Sequence, residues 1–252
     1  MPVPYRRPHR LSQATAALAL ATLLAAPAAA QTYDARADYS TTSNPNGVWT
    51  YGYATALGSA GTPAAVTTYT TAQTYASGLH SWYTAGMCGD NTPAVYKNLT
   101  ASGYVAGSAN VGAGQLALHP GCRNEFSVLR FTAPTAGFTA GSFDVAATFR
   151  SGDVGSKSVA LLRNGSLLFE DLLSGGESVG YSTRLGLVAG DVIDLMVGAD
   201  GDYRFDTLEA NLVVSAAAPV PTSPVPEPAT WALLATGLGA IGLVRRRRAA
   251  AG

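Results

Sequence analysis

Phe143-Asp144-Val145-Ala146-Ala147-Thr148-Phe149-Arg150 alternates without a break. In an extended chain Phe143, Val145, Ala147 and Phe149 share one face, and Asp144, Ala146, Thr148 and Arg150 share the other. A period of two belongs to a half-buried strand. Ser127–Thr132, Ser158–Arg163, Ser166–Leu173, Gly180–Leu187, Asp191–Val197 and Thr207–Val214 follow similar patterns. Asn164-Gly165 between two of these runs predicts a hairpin, because a type I′ turn needs positive φ at both central residues. Pro134-Thr135-Ala136-Gly137 and Ala189-Gly190-Asp191 mark further turns. Many short strands with closely spaced turns predict an all-β, jelly-roll-like antiparallel sandwich over residues 31–215. Upstream the pattern loosens. Ala54–Gly78 and Asp90–Gly114, rich in Ala, Thr, Gly and Tyr, read as long loops or thin edge strands.

Composition agrees with short strands and tight turns. Only 13% of the 252 residues are charged, against roughly 25% in an ordinary soluble domain. The formal net charge is zero, but that is an average over unlike pieces. Between Gln31 and Val225 stand 9 basic and 15 acidic residues, so the body carries −6. A body of that sign does not bind nucleic acid by neutralising phosphates.

The two ends read as addresses. Arg6, Arg7 and Arg10 precede an apolar run, Ala14–Ala26, and Ala28-Ala29-Ala30 supplies small residues for cleavage. Residues 1–30 therefore read as a signal peptide for general secretion, cut between Ala30 and Gln31. An uncut anchor is the alternative, which the short, Ala-rich run disfavours. At the other end, residues 216–225 form a linker with Pro219, Pro221 and Pro224, extended because Pro blocks helix and sheet. Pro226-Glu227-Pro228 follows, then the uncharged span 229–244, then Arg245, Arg246, Arg247 and Arg248. As a transmembrane helix that span reaches about 24 Å, slightly short of a ~27–30 Å hydrocarbon core. The arginines hold their end in the cytoplasm and leave the body outside.

This order of parts resembles the PEP-CTERM sorting signal of Gram-negative bacteria. The resemblance implies recognition by an exosortase, a membrane-embedded cysteine transpeptidase-like enzyme, and cleavage near Pro226, Glu227 and Pro228. Transfer to the cell surface or extracellular matrix follows, in species that make exopolysaccharide and biofilm. Transient anchoring in the inner membrane, with the body in the periplasm, precedes that transfer.

A second resemblance covers most of residues 34–214. Asn44-Pro45-Asn46-Gly47-Val48-Trp49-Thr50-Tyr51-Gly52-Tyr53, Leu118-His119-Pro120-Gly121, Val128-Leu129-Arg130-Phe131-Thr132-Ala133-Pro134, Phe149-Arg150-Ser151-Gly152-Asp153, Ala189-Gly190-Asp191-Val192-Ile193-Asp194 and Phe205-Asp206-Thr207 look like a domain recurrent in PEP-CTERM and other bacterial surface proteins. That likeness implies a jelly roll similar to carbohydrate-binding modules. Cys88 and Cys122 are not part of its pattern.

Those are the only cysteines, and in an exported chain an even count predicts one disulfide. For catalysis the sequence offers no residue set. His80 and His119 stand without a nucleophile elbow or a zinc-binding His-Glu-x-x-His, and His119 before Pro120-Gly121 reads as a turn or packing residue. The sequence also implies no cofactor. Asp200, Asp202 and Asp206 read either as a solvated hairpin tip or as oxygen ligands for Ca²⁺. Trp49, Tyr51, Tyr53, Trp82 and Tyr83 are the candidate glycan contacts, set against the plainer reading that they fill the core. The resulting expectation is a non-enzymatic, exosortase-processed surface or matrix protein. The alternatives are a module that binds extracellular polysaccharide and, third, a glycan-active enzyme.

Overall fold

The structure, a computed structural model, describes residues 31–218. The stretch read as a signal peptide (residues 1–30), the Pro-rich stretch beyond residue 218 and the C-terminal motif with the span 229–244 lie outside the described residues. Sixteen strands and no helix occupy the described part. The later ones fall where the alternation places them: β10 (Phe126–Thr132), β11 (Gly141–Ser151), β12 (Lys157–Arg163), β13 (Ser166–Leu173), β14 (Ser178–Leu187), β15 (Val192–Ala199) and β16 (Leu208–Ala216). Asn164 and Gly165 take φ of 48° and 79° at the β12–β13 turn. Gly165 has a second reason to lack a side chain, because a Cβ there would run into the carbonyls of Ser59 and Thr62.

The strands form two main antiparallel sheets. The larger runs β14-β11-β16-β9-β6-β5-β4, where β4 is Thr71–Thr74, β5 Leu79–Tyr83, β6 Ala94–Asn98 and β9 Leu116–His119; β1 (Thr32–Asp34) pairs with the far end of β16. The smaller runs β13-β12-β15-β10-β2-β3, with β2 Trp49–Ala54 and β3 Thr67–Thr68. From β10 onward nearly every connection crosses from one sheet to the other, which makes the sandwich jelly-roll-like. Phe143, Val145, Ala147 and Phe149 face inward, all at most 2% exposed, against Leu161, Leu195, Phe131 and Trp49 of the opposite sheet. Burying each of the Val, Leu and Phe side chains among these contributes about 1.5–3 kcal/mol, which is what holds the layers together.

The two loosely patterned stretches each cover the outer face of a sheet. Residues 55–66 lie over the smaller one, where Ala64 and Val66 join Val128, Ala160, Leu162 and Met196 in a minor core. There Arg130 grips Asp194 with two bonds of 2.6 and 2.8 Å and donates a third to the Ala64 carbonyl. Residues 99–115 lie over the larger sheet and carry the separate hairpin of β7 (Tyr104–Ala106) and β8 (Ala109–Val111). Besides β1, β5 and β9, which fall outside the patterns read from the sequence, β6 is also missed. It is an interior strand between β5 and β9, in a stretch read as loop or edge.

Cys88 and Cys122 are joined, with Cα atoms 6.0 Å apart, tying the loop after β5 to the turn after β9. A loop of about 35 residues closed in the unfolded chain is worth roughly 3–4 kcal/mol. Replacing both cysteines by serine is therefore expected to lower unfolding free energy by about that amount with the sandwich intact. Urea denaturation measures it, and an unchanged midpoint would refute the expectation.

Candidate functional site

The aromatic residues singled out in the sequence are mostly core. Trp49 and Tyr51 are 1% and 0% exposed, and Trp82 and Tyr83 are 6% and 7%. Trp49 donates its indole N–H to Asp38 Oδ2 at 3.0 Å, and Trp82 donates to the Ser40 carbonyl at 2.7 Å. Tyr53 is half-buried and stacks on Tyr69. As glycan contacts the four buried rings are corrected by the structure: period two puts Trp49 and Tyr51 on the inward face of β2, where no sugar can reach them. Core filling is the role of Trp49, Tyr51 and Trp82, while Tyr83, next to Trp82 on β5, lies on the other face and donates to Gln73 Oε1 at 3.0 Å.

An exposed aromatic cleft does exist, built from residues the sequence reading did not select. Pairing of β5 with β6 sets Ser81 opposite Tyr96, and pairing of β6 with β9 sets Tyr96 opposite Ala117. Trp82 and Val95 turn into the core, so Tyr96 must turn outward. Tyr75 reaches the same place from the turn after β4, which is closed by Tyr75 N–H to the Leu79 carbonyl (2.8 Å) and by Gly78 at φ 81°. Tyr104 comes from the β7–β8 hairpin. The three half-buried phenols, with Leu79, Val111, Thr207 and Asp90, line a cavity of about 260 Å³.

The hairpin over this cleft is anchored rather than loose. Asn98, fully buried, donates from Nδ2 to the carbonyls of Ser102, Val111 and Gly112 at 2.8–3.1 Å. Gly112 N–H donates to Glu209 Oε1 at 2.5 Å, and Arg150 holds both oxygens of that carboxylate at 2.8 Å. Asp90 sits two residues past Cys88, so the disulfide fixes its loop. Its Oδ1 accepts from Thr92 Oγ1 (2.7 Å) and Thr92 N–H (3.3 Å). Burial first, then the neighbouring Tyr75, Asp90 and Tyr104, push the Tyr96 phenol well above the usual tyrosine range. The cleft thus presents three tyrosine rings and their hydroxyls beside the Asp90 side chain.

A wider and more open groove of about 510 Å³ lies on the same sheet face, lined by Gln115, Thr148, Ser178, Gly180 and the Arg150–Glu209 pair. Its two charges satisfy one another. That leaves no charged group free to orient a ligand, and the tyrosine cleft is the stronger candidate.

His80 and His119 are structural. His80 Nε2 lies 3.1 Å from the Thr41 carbonyl, which can only accept, so Nδ1 is left to accept from the Tyr39 hydroxyl at 2.7 Å. His119 Nδ1 donates to the Pro120 carbonyl at 2.8 Å, and its ring meets Tyr203 edge-on. Burial lowers the pKa of each.

The three aspartates read as a weak Ca²⁺ candidate diverge. Asp202 pairs with Arg204, Asp200 accepts from Ser156 Oγ, and Asp206 is fully buried. Among the described residues no group of three or more His, Cys, Asp or Glu is placed to hold a metal ion. Asp206 is unusual, because neither carboxylate oxygen has a hydrogen-bond partner. Burial pushes its carboxyl up to about 7, against the attraction of Lys157. The native state thus holds this proton more tightly than the unfolded chain does. The stability that follows is complete below about pH 4 and is lost as pH rises through about 7. An Asp206→Asn variant is expected to gain on the parent by about 2–4 kcal/mol between pH 4 and pH 8. Paired denaturation curves read this, and a difference independent of pH would contradict it.

Comparison with known proteins decides the sorting signal. Residues 224–248 match the model of the PEP-CTERM protein-sorting motif. The chain carries a PEP-CTERM signal. The match begins one residue before Val225-Pro226-Glu227-Pro228 and ends on Arg248, the last of the arginine cluster. No curated protein matches the PEP-CTERM chain in sequence. Solved structures to which the chain is similar in part include the CBM36-1 domain of a multidomain xylanase from the hindgut metagenome of Trinervitermes trinervoides. It has 14% identity and a TM-score of 0.29, over 47% of this chain and 92% of that one. A carbohydrate-binding module CBM36 in complex with calcium and xylotriose has 13% identity and a TM-score of 0.26, over 40% and 78%. The GH26-CBM35 β-(1,4)-mannanase of Podospora anserina has 15% identity and a TM-score of 0.31, over 57% and 29%. Likeness at this level carries no functional argument, so function has to be read from the chain's own cleft.

Proposed function

We propose that this PEP-CTERM chain is a non-enzymatic, exosortase-processed protein of the cell surface or extracellular matrix, and that its sandwich binds an extracellular polysaccharide. The observation that carries the reading is the Tyr75–Tyr96–Tyr104 cleft. A pyranose ring has an apolar C–H face and a rim of hydroxyls. The C–H groups rest against the negative faces of aromatic rings, and the hydroxyls donate to Asp90 and exchange bonds with Thr207 and the phenols. Few convergent polar groups in a mostly apolar concavity is the usual make-up of a small-molecule site. Its volume suits one sugar unit of a longer chain. Binding rather than hydrolysis is the reading because glycoside hydrolysis uses two facing carboxyl groups, and only one, Asp90, lines this cleft.

Export and attachment complete the reading. The sorting motif is a mark of an exported chain, and the exosortase, the secretion machinery and the inner membrane are the partners proposed for its two ends. At the surface, a polysaccharide-binding sandwich helps hold exopolysaccharide or biofilm matrix. The test is affinity electrophoresis of the full chain, purified in mild detergent, through gels containing single polysaccharides. Retardation by at least one is expected, and passage through every gel at its polymer-free mobility would refute the binding role.

A further inference from the structure

We infer that the tyrosine cleft selects uncharged sugar units and rejects uronates, with Asp90 as the discriminating residue. The inference deepens the polysaccharide-binding reading and rests on it. Asp90 is exposed at the cleft and is its sole charged lining residue. Thr92 engages Oδ1, which leaves Oδ2 as a free acceptor for a sugar hydroxyl. No lysine or arginine lines the cleft, so a carboxylate on the sugar meets no counter-charge in its lining. Of the nine basic residues of the body, Arg130, Arg150, Arg163, Arg184 and Arg204 are each paired with a carboxylate, Arg36 donates to Gln115 Oε1, Lys97 donates to the Arg36 carbonyl, and Arg123 is not among the residues lining the cleft. Lys157 is fully buried on Ser151 Oγ and the Asp153 carbonyl. The body as a whole carries −6, so the surrounding field adds to the repulsion.

The size of the effect follows from charge geometry. Two carboxylates about 5 Å apart at a partly hydrated surface repel enough to weaken binding roughly 5- to 100-fold. An Asp90→Asn change replaces a charged acceptor with a neutral one, which weakens binding of an uncharged sugar about five- to tenfold. The same change relieves the repulsion, so the preference for neutral over uronate polymer shrinks towards unity. Added salt shrinks it too, because the site is open to solvent.

The experiment uses the full chain in mild detergent with three matched pairs: cello-oligosaccharides and their C6-oxidised forms, mannan and polymannuronate, galactan and polygalacturonate. Affinity is read by calorimetry at low and high salt, for the parent and Asp90→Asn. The expected result is tighter binding of the neutral member of any recognised pair, by at least fivefold, with the ratio falling in the variant and in high salt. Equal or tighter binding of the uronate member overturns the inference and leaves the binding role standing. A ratio unchanged by Asp90→Asn overturns the role of Asp90. Binding of no member of any pair overturns the inference together with the role it rests on.

Discussion

Changing Tyr96 to alanine is expected to abolish the proposed retardation by polysaccharide and to leave the chain folded. Tyr96 is central to the cleft, with Tyr75, Asp90 and Tyr104 around it. Aromatic side chains at the centre of a binding patch commonly carry 2 kcal/mol or more, so a loss of about 30-fold or greater is expected. The cost to folding is smaller. Tyr96 lies on the outer face, half-buried and outside the main core, so its removal leaves the layers between the sheets in contact. Tyr96→Phe keeps the ring and loses only the hydroxyl, and a milder loss of several-fold is expected. Tyr51→Ala behaves in the opposite way. It opens a hole in the core and costs about 3–5 kcal/mol of stability, with little direct effect on binding in the molecules that stay folded. Affinity electrophoresis alongside thermal melts separates the two classes. Tyr96→Ala chains held back like the parent would remove the cleft from the proposal.

Changing Pro226 and Glu227 to alanine is expected to leave full-length protein at the membrane, against near-complete processing of the parent. The motif match spans residues 224–248, which includes both positions. The body is unaffected, because its last strand ends at Ala216 and the Pro-rich stretch to Val225 separates it from the motif. Deleting Arg245–Arg248 has a different outcome. Without the cytoplasmic charge clamp a 16-residue span is held weakly, and uncut chain escapes. Intact mass and fractionation in a host that has an exosortase read both variants. If the double-alanine chain is trimmed and released like the parent, the span is only an anchor and the motif is incidental.

Where alternation is strict, the sequence is a direct guide to the structure. Ser166–Leu173 was readable to the residue, and β10 to β16 fall within two or three residues of their patterns, because period two has only one way to bury a face. Trp49 and Tyr51 illustrate the limit. Their spacing places both on one face of a strand, but only packing tells whether that face meets the core or a ligand. The cleft was less legible still. Tyr75, Tyr96 and Tyr104 share no period and lie on a turn, an interior strand and a hairpin. β6 itself was hidden in a stretch rich in small residues, because much of its outer face is covered by the 99–115 segment rather than exposed to water.

Sequence by itself determined the all-β sandwich, the pairing of the two cysteines and the order of the sorting signal. Each depends on local chemistry: alternation of side chains, the even count of thiols in an oxidising compartment, and a short motif followed by an apolar span and arginines. Only the tertiary structure decided which aromatics are core and which line a cleft, and that the two irregular stretches cover the outer faces of the sheets. It also decided that Asp206 is buried without a hydrogen-bond partner while Asp90, held through Oδ1 by Thr92, is exposed at the cleft. These features depend on strand register and on contacts between residues far apart in the chain. A one-residue slip would turn Tyr96 from the outer face into the core, and nothing within its own strand forbids that slip. The pairing of β6 with β5 and β9 does.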